Sequence, residues 1–279
     1  MTETERRDAV ILAAGLGTRM RLLVHDLPKP LIPLLDRPLL EWAITGLERA
    51  GMKHIIVVTG NQERLIHQWL TEFDSTVDID TVFNPHYRLG NGVSAQYGVE
   101  TASTSQVVMV MADHLASPEI YKRAMLSRLA KNDLSLVVDR ELVGALDIDE
   151  ATRVWAAPDG AILSIGKMIS PWNCIDTGVF SVSHAFCEIV SDILVENGTC
   201  SISDAVRRMI ELNMRVMSVD SGGEFWMDID TPDDLRLAEQ TVLARADLCE
   251  TFGVSPDMEL VEAHATPFGL SEMQREGLL

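Results

Sequence analysis

The chain has 279 residues, of which 47% are hydrophobic and 23% charged, and it carries a net charge of −19 at neutral pH. That composition can bury a core, holds no apolar run near the roughly 18 residues of a membrane helix, and sets the surface against nucleic acid and anionic membrane. Cys174, Cys187, Cys200 and Cys249 stand far apart with no Cys-x-x-Cys pair, which speaks against zinc and against a disulfide framework. With no apolar signal region before the first strand, these features predict a cytoplasmic protein.

The first apolar run, Ala9 to Ala13, predicts a buried strand. It leads into a turn holding Gly15, Gly17, Thr18 and Arg19, and then into Pro28-Lys29-Pro30-Leu31. Glycines after a strand let backbone N–H groups approach a ligand closely, which is how polyphosphates are commonly cradled. Arg19 and Lys29 add positive charge to the same loop. A Walker loop is excluded because no Gly-Lys-Ser/Thr follows, and a dinucleotide fingerprint lacks its third glycine where Met20 stands.

Strands and helices then alternate. Helical spacing covers Pro38 to Gly51, a β-branched run covers His54 to Gly60, a helix follows over Asn61 to Phe73, and a strand over Val77 to Phe83. The order predicts right-handed βαβ units and a mostly parallel sheet. A loop rich in Gly and Asn spans Asn84 to Gly98, with Ser94 as the expected cap of the next helix. Gln106 to Asp113 reads as the central strand, ending on a carboxylate where open α/β sheets place their ligand crevice. Asp113 is there either a helix cap or a metal ligand. Ser117 before Pro118 is the better cap, which favours the ligand role.

A helix is expected over Pro118 to Ala130, a strand over Leu134 to Asp139, and a hairpin across Pro158-Asp159-Gly160 that ends near Gly166-Lys167. Asp147 and Asp149, before it, read as solvated loop charges. A strand runs through Asp176-Thr177-Gly178-Val179-Phe180. Helices follow over Phe186 to Asn197, closed by Gly198, and over Ser201 to Glu211, with Ser203 as a candidate cap. After a short strand at Arg215 to Asp220 comes Trp226-Met227-Asp228-Ile229-Asp230-Thr231-Pro232. On a strand Asp228 and Asp230 would share one face, and Thr231-Pro232 opens one long helix ending near Phe252. Residues 1–252 read as one domain, and 253–279 as a C-terminal tail available for contacts in a homodimer.

The string Leu12-Ala13-Ala14-Gly15-x-Gly17-Thr18-Arg19 with Pro28-Lys29-Pro30-Leu31 resembles the signature of nucleotidyltransferases that make nucleoside-diphosphate sugars and alcohols. Gly90-Asn91-Gly92-x-Ser94, the hairpin, Gly166-Lys167 and Asp176-Thr177-Gly178-x-Phe180 are similar to cytidylyltransferases acting on polyol phosphates such as inositol 1-phosphate. The resemblance implies a Rossmann-like three-layer α/β sandwich with a mostly parallel mixed sheet. It also implies a reaction in which the phosphate of a phosphorylated alcohol, cyclitol or sugar, or a phosphonate, attacks the α-phosphorus of a nucleoside triphosphate, CTP by preference, and expels pyrophosphate. Carried over residue by residue, it puts nucleotide on Leu12, Ala13, Ala14, Gly15, Gly17, Thr18, Asn91, Gly92, Ser94 and Ala112. Arg19, Lys29 and Lys167 become the catalytic cations; His114, Lys167 and Asp176 the acceptor contacts; and Asp113 with Asp228 and Asp230 the Mg2+ ligands. Asp228 is favoured as the inner ligand. Ala112 stands where the family usually has glycine, which narrows the cleft beside the metal site. The rival readings are a guanylyl- or uridylyltransferase, a non-catalytic nucleotide-binding relative, and a dinucleotide-dependent dehydrogenase.

Overall fold

The computed structural model of the protein describes residues 7–22, 27–127, 132–142, 148, 150–255 and 257–258. In chain order the first half contains β1 (Asp8–Leu12), β2 (Pro33–Leu34), β3 (Arg37–Pro38), α1 (Leu39–Arg49), β4 (His54–Thr59) and α2 (Glu63–Glu72). These are followed by β5 (Asp78–Phe83), α3 (Asn91–Thr101), β6 (Gln106–Met111), β7 (His114–Ala116), α4 (Pro118–Ser127) and β8 (Leu134–Asp139). The second half contains β9 (Arg153–Ala156), β10 (Ile162–Gly166), β11 (Cys174–Ser183), α5 (Ala185–Asn197) and α6 (Ile202–Glu211). It closes with β12 (Val216–Asp220), β13 (Trp226–Asp228), α7 (Pro232–Ala244) and α8 (Ala246–Phe252).

Among the described residues the main sheet runs β10-β9-β11-β6-β1-β4-β5, and β8 pairs with both β11 and β12. The β6-β1-β4-β5 segment and the β8–β12 pair are parallel, while β11 lies antiparallel to β6, β8 and β9. The expected α/β fold with a mixed sheet is therefore the observed one. Alternation along β1 explains the two cores: Val10 and Leu12 face α3, α5 and α6, whereas Ala9 and Ile11 face α1, α2 and α4. A third cluster ties β2, α1 and β13 to α7 and α8, with Trp42, Phe225 and Phe252 among its members.

Asp8 anchors the start of β1. Its buried carboxylate accepts the backbone N–H groups of Ser103 and Thr104 and the Ser103 hydroxyl, and contacts the His54 ring at 3.2 Å. Burial opposes its charge, but the Ser103 and His54 contacts outweigh that and hold its pKa below the ordinary carboxylate value. Removing the carboxylate takes the acceptor from the buried Thr104 N–H and from the more exposed Ser103 N–H, so Asp8→Ala is expected to cost about 2 kcal/mol in urea unfolding. Because the folded pKa is depressed, this stabilisation is present above the unfolded carboxylate value of about 4 and fades as pH falls below it. The gap between wild type and variant closes in acid.

Several local expectations change. The helix expected to be capped at Ser94 begins earlier, at Asn91, and Ser94 lies buried in its first turn with Oγ accepting from the Asn84 amide at 3.0 Å. Ser201, not Ser203, caps α6, through a reciprocal capping box with Asp204. The single long C-terminal helix is two, broken at Arg245, which lets Phe252 turn back onto Trp42 and Phe225. β13 ends at Asp228, so Asp230 lies beyond the strand and does not share its face with Asp228. Asp147, Asp149, residues 128–130 and the tail beyond 258 lie outside the described residues.

Candidate active site

The C-terminal ends of β1 and β6 open into a cavity of about 320 Å3. The loop from Leu12 to Arg19 forms one wall, Lys29 and Pro30 a second, Tyr87, Asn91 and Ser94 a third, and Met111 to Asp113 the floor. Gly17 has a φ of 57°, and a Cβ there would lie 2.8 Å from Lys29 Cβ. The glycine thus serves both a left-handed turn and the close seat of the lysine.

Lys29 is the hub. Only 8% exposed, it places Nζ 2.6 Å from Asp113 Oδ2 and 2.5 Å from Asp230 Oδ1. Burial alone would discourage its charge, yet the fields of Asp113, Asp228 and Asp230 more than reverse this and raise its pKa above that of a free lysine. Asp113 answers in kind: burial opposes its ionisation, but Lys29 and His114 hold its carboxyl well below the usual range. Arg19 shares Asp230 from the solvent side, with Nη1 2.7 Å from Asp230 Oδ2, and also reaches Glu150 Oε2 at 3.0 Å.

The short β7–β13 pair, which sequence reading did not find, places Asp228 opposite His114. His114 Nδ1 lies 3.0 Å from Asp113 Oδ1 and 3.6 Å from Asp228 Oδ1. Burial would lower the histidine, but Asp228 and Asp113 push it up to about 9. Burial, reinforced by Asp113, raises Asp228 above the ordinary carboxylate value. One donor atom from each of Asp113, His114 and Asp228 lies within 4.8 Å of the others, and Asp228 Oδ1 is buried without a hydrogen-bond partner. An unsatisfied carboxylate oxygen beside a second carboxylate suits a hard divalent cation such as Mg2+, which binds through one or two carboxylates plus substrate phosphates. Asp230, by contrast, is committed to Lys29 and Arg19.

A second cavity, of about 460 Å3, adjoins the first and shares Arg19, Asn91, Met111 and Asp230 with it. His114, Lys167, Asp176, Trp226 and Asp228 line it. Its back wall is held from behind: the Trp226 indole N–H donates to buried Asp139 Oδ2 at 2.9 Å, and the ring lies nearly parallel to His114. Gly178, at φ 74°, makes room for His114, because a Cβ there would meet the ring at 2.7 Å. The geometry is two joined compartments with a cluster of carboxylates and cations at their junction, suited to setting one anionic substrate against another.

Residues 9–147 match the MobA-like NTP transferase domain. Over these residues the chain belongs to that family. It is 34% identical over 239 residues to a bifunctional IPC transferase and DIPP synthase of Thermococcus kodakarensis, covering 85% of this chain and 51% of the relative. The chain spans about half the length of the curated bifunctional relatives it matches. Its fold is that of the inositol-1-phosphate CTP transferase from T. maritima, with a TM-score of 0.76 at 23% identity over 90% of this chain and 96% of that one. It also resembles a UDP-glucose pyrophosphorylase complexed with UDP-glucose, with a TM-score of 0.73 at 17% identity, covering 86% and 99% of the two chains.

Within this NTP transferase domain and the part that follows it, the structure gathers most of the residues singled out from sequence. Leu12, Ala13, Ala14, Gly15, Gly17, Thr18, Ser94 and Ala112 line the first compartment, with Lys29 and Asp113. His114, Lys167, Asp176 and Asp228 line the second. Gly92 lines neither. Its N–H donates to the Cys200 carbonyl at 3.1 Å, and a Cβ on it would lie 2.8 Å from that oxygen, so this glycine serves the packing of α3 against residues 200–201. Tyr87, Met111, Glu150 and Trp226 are additional wall residues to which the sequence patterns assigned no role.

Asp176 does two things. One oxygen accepts the Gly178 N–H at 2.7 Å, bracing the irregularity in β11, and the residue also faces the second cavity. Burial raises its carboxyl to about 6, partly offset by the Gly178 bond and His114. A carboxyl raised on folding contributes stability below its unfolded value of about 4 and loses it as pH rises through about 6. Asp176→Asn keeps an acceptor for Gly178 and removes the buried charge. We expect its melting temperature to exceed that of wild type at pH 7.5, the gain vanishing near pH 4.

Proposed function

We propose that this protein is a Mg2+-dependent nucleotidyltransferase that joins a nucleoside triphosphate, CTP by preference, to a phosphorylated cyclitol such as inositol 1-phosphate, and releases pyrophosphate. The observation that carries the reading is Lys29, buried between Asp113 and Asp230 where the two compartments meet. The likeness to relatives named for IPC transfer supports the acceptor, and the shared fold of the inositol-1-phosphate CTP transferase supports the base.

In this reading the triphosphate lies in the first compartment with its phosphates along the loop from Ala13 to Thr18. The acceptor lies in the second, its phosphate on Lys167, an exposed lysine at the cavity wall. The attacking phosphate is already ionised, so no side chain has to remove a proton. The chain's task is placement and charge neutralisation. Lys29 and Arg19 offset charge that builds on the departing pyrophosphate. Asp113 and Asp228 would hold Mg2+, which when bound neutralises phosphate oxygens and polarises the reacting phosphorus.

The test is pyrophosphate release with Mg2+, screening CTP, UTP, GTP and ATP against inositol 1-phosphate, glucose 1-phosphate and other phosphorylated alcohols. Release with CTP and a cyclitol phosphate is expected. Release with UTP and a sugar phosphate would move the protein to the uridylyl reading, which its likeness to UDP-glucose pyrophosphorylase keeps in the panel. Triphosphate binding without turnover on any acceptor would overturn the transferase reading.

A further inference from the structure

Asn84 lines neither compartment, yet it touches a wall residue of the first. It is fully buried, and its Oδ1 accepts the His86 backbone N–H at 2.8 Å. That bond settles which end of the amide is oxygen. The other end, Nδ2, lies 3.0 Å from Ser94 Oγ. An amide nitrogen can only donate, so Ser94 Oγ receives and its own proton must point elsewhere. Ser94 lines the nucleotide compartment, one helical turn after Asn91 on the same face of α3. Asn91 is polarised in the same sense: its Oδ1 accepts the Ile202 N–H at 2.9 Å, which leaves Nδ2 for the cavity.

We infer that Asn84, acting through Ser94 and together with Asn91, sets this wall as a pair of hydrogen-bond donors that selects cytosine over uracil. Cytosine presents two adjacent acceptors, O2 and N3, on its pairing edge. Uracil presents O2 beside an N3–H, so one of the two donors would face another donor. A donor covered by the bound base and left facing another donor is strongly rejected, most of all at buried Ser94. Asn84 is a positioning residue here, because it touches no substrate. The inference deepens the nucleotidyl-transfer reading above and rests on it.

The experiment measures CTP, UTP and inorganic pyrophosphate binding by calorimetry with Mg2+, so that it needs no knowledge of the acceptor. Wild type is expected to bind CTP at least about tenfold tighter than UTP, the worth of a good paired contact to a base edge. Ser94→Ala removes one donor and narrows that ratio by about tenfold. Asn84→Asp, measured at pH 8, replaces the donor with an acceptor, so the Ser94 proton turns back to it and a lone pair faces the cavity. UTP binding then tightens while CTP weakens, an inversion that general damage to the pocket would not produce. Pyrophosphate affinity on the same variants reports whether the phosphate loop is intact. A CTP-to-UTP ratio unchanged in both variants, or a wild type that prefers UTP, overturns the inference while leaving transfer standing. A wild type that binds neither triphosphate nor pyrophosphate overturns the transfer reading itself, and this inference with it.

Discussion

Replacing Lys29 with alanine is expected to lower turnover by about 10²–10³-fold, the usual cost of removing one preorganised electrostatic group from a polar active site. The lysine is the innermost cation of the junction, its ammonium held within 2.6 Å of Asp113 and 2.5 Å of Asp230. Its pKa lies above that of free lysine, so it stays charged throughout the working range and contributes no limb to the pH–rate profile. Lys29→Arg should not restore activity. A planar guanidinium cannot place one point charge between two carboxylates that lie 2.6 and 2.5 Å from the lysine ammonium. The variant also leaves three neighbouring carboxylates without their common partner, which destabilises the cluster near neutral pH. Millimolar Mg2+ should recover part of that stability without recovering turnover. Near-normal turnover in a folded Lys29→Ala protein would remove the lysine from the mechanism.

Lys29 and Asp113 were legible because each sits in a short, local pattern: a glycine turn with Pro-Lys-Pro, and an apolar strand closing on a carboxylate. The sheet was legible for a related reason, since buried parallel strands leave continuous apolar runs. The irregular contacts between distant segments left no such trace. β7 and β13 are three residues each, too short for a period, yet their pairing brings His114 to Asp228. The hold of Asp139 on Trp226 and the ion pair of Arg19 with Glu150 likewise join segments that share no pattern. Gly90 and Gly92 show the opposite failing. Their glycine spacing correctly signals a close approach, but both would collide with the Cys200 carbonyl, so what approaches is the protein's own backbone. Helix caps are ambiguous wherever serines cluster, which is why Ser94 and Ser203 drew attention that belonged to Gly90 and Ser201.

Asp113→Ala is expected to lose activity by at least about 10²–10³-fold, with a signature that separates it from Lys29→Ala. Asp113 faces both halves of the junction: one oxygen lies 2.6 Å from Lys29 Nζ, the other 3.0 Å from His114 Nδ1. It is held ionised, whereas its neighbour Asp228 is pushed toward the protonated form and has a buried oxygen without a hydrogen-bond partner. Two unlike carboxylates so placed would share a divalent cation, whose charge favours the ionised form of both. Loss of Asp113 should therefore raise the Mg2+ concentration needed for half-maximal turnover, and should weaken Mn2+ binding measured by electron paramagnetic resonance in the absence of substrates. Asp228→Asn should shift both in the same direction. Asp230→Asn, which loosens Lys29 and Arg19 instead, should cut turnover while leaving Mn2+ affinity close to that of wild type. If Asp230→Asn weakens Mn2+ binding as much as Asp228→Asn does, the division between a metal pair and a lysine anchor fails. Proton competition gives an independent check, because Mn2+ affinity should fall as pH drops and Asp228 regains its proton.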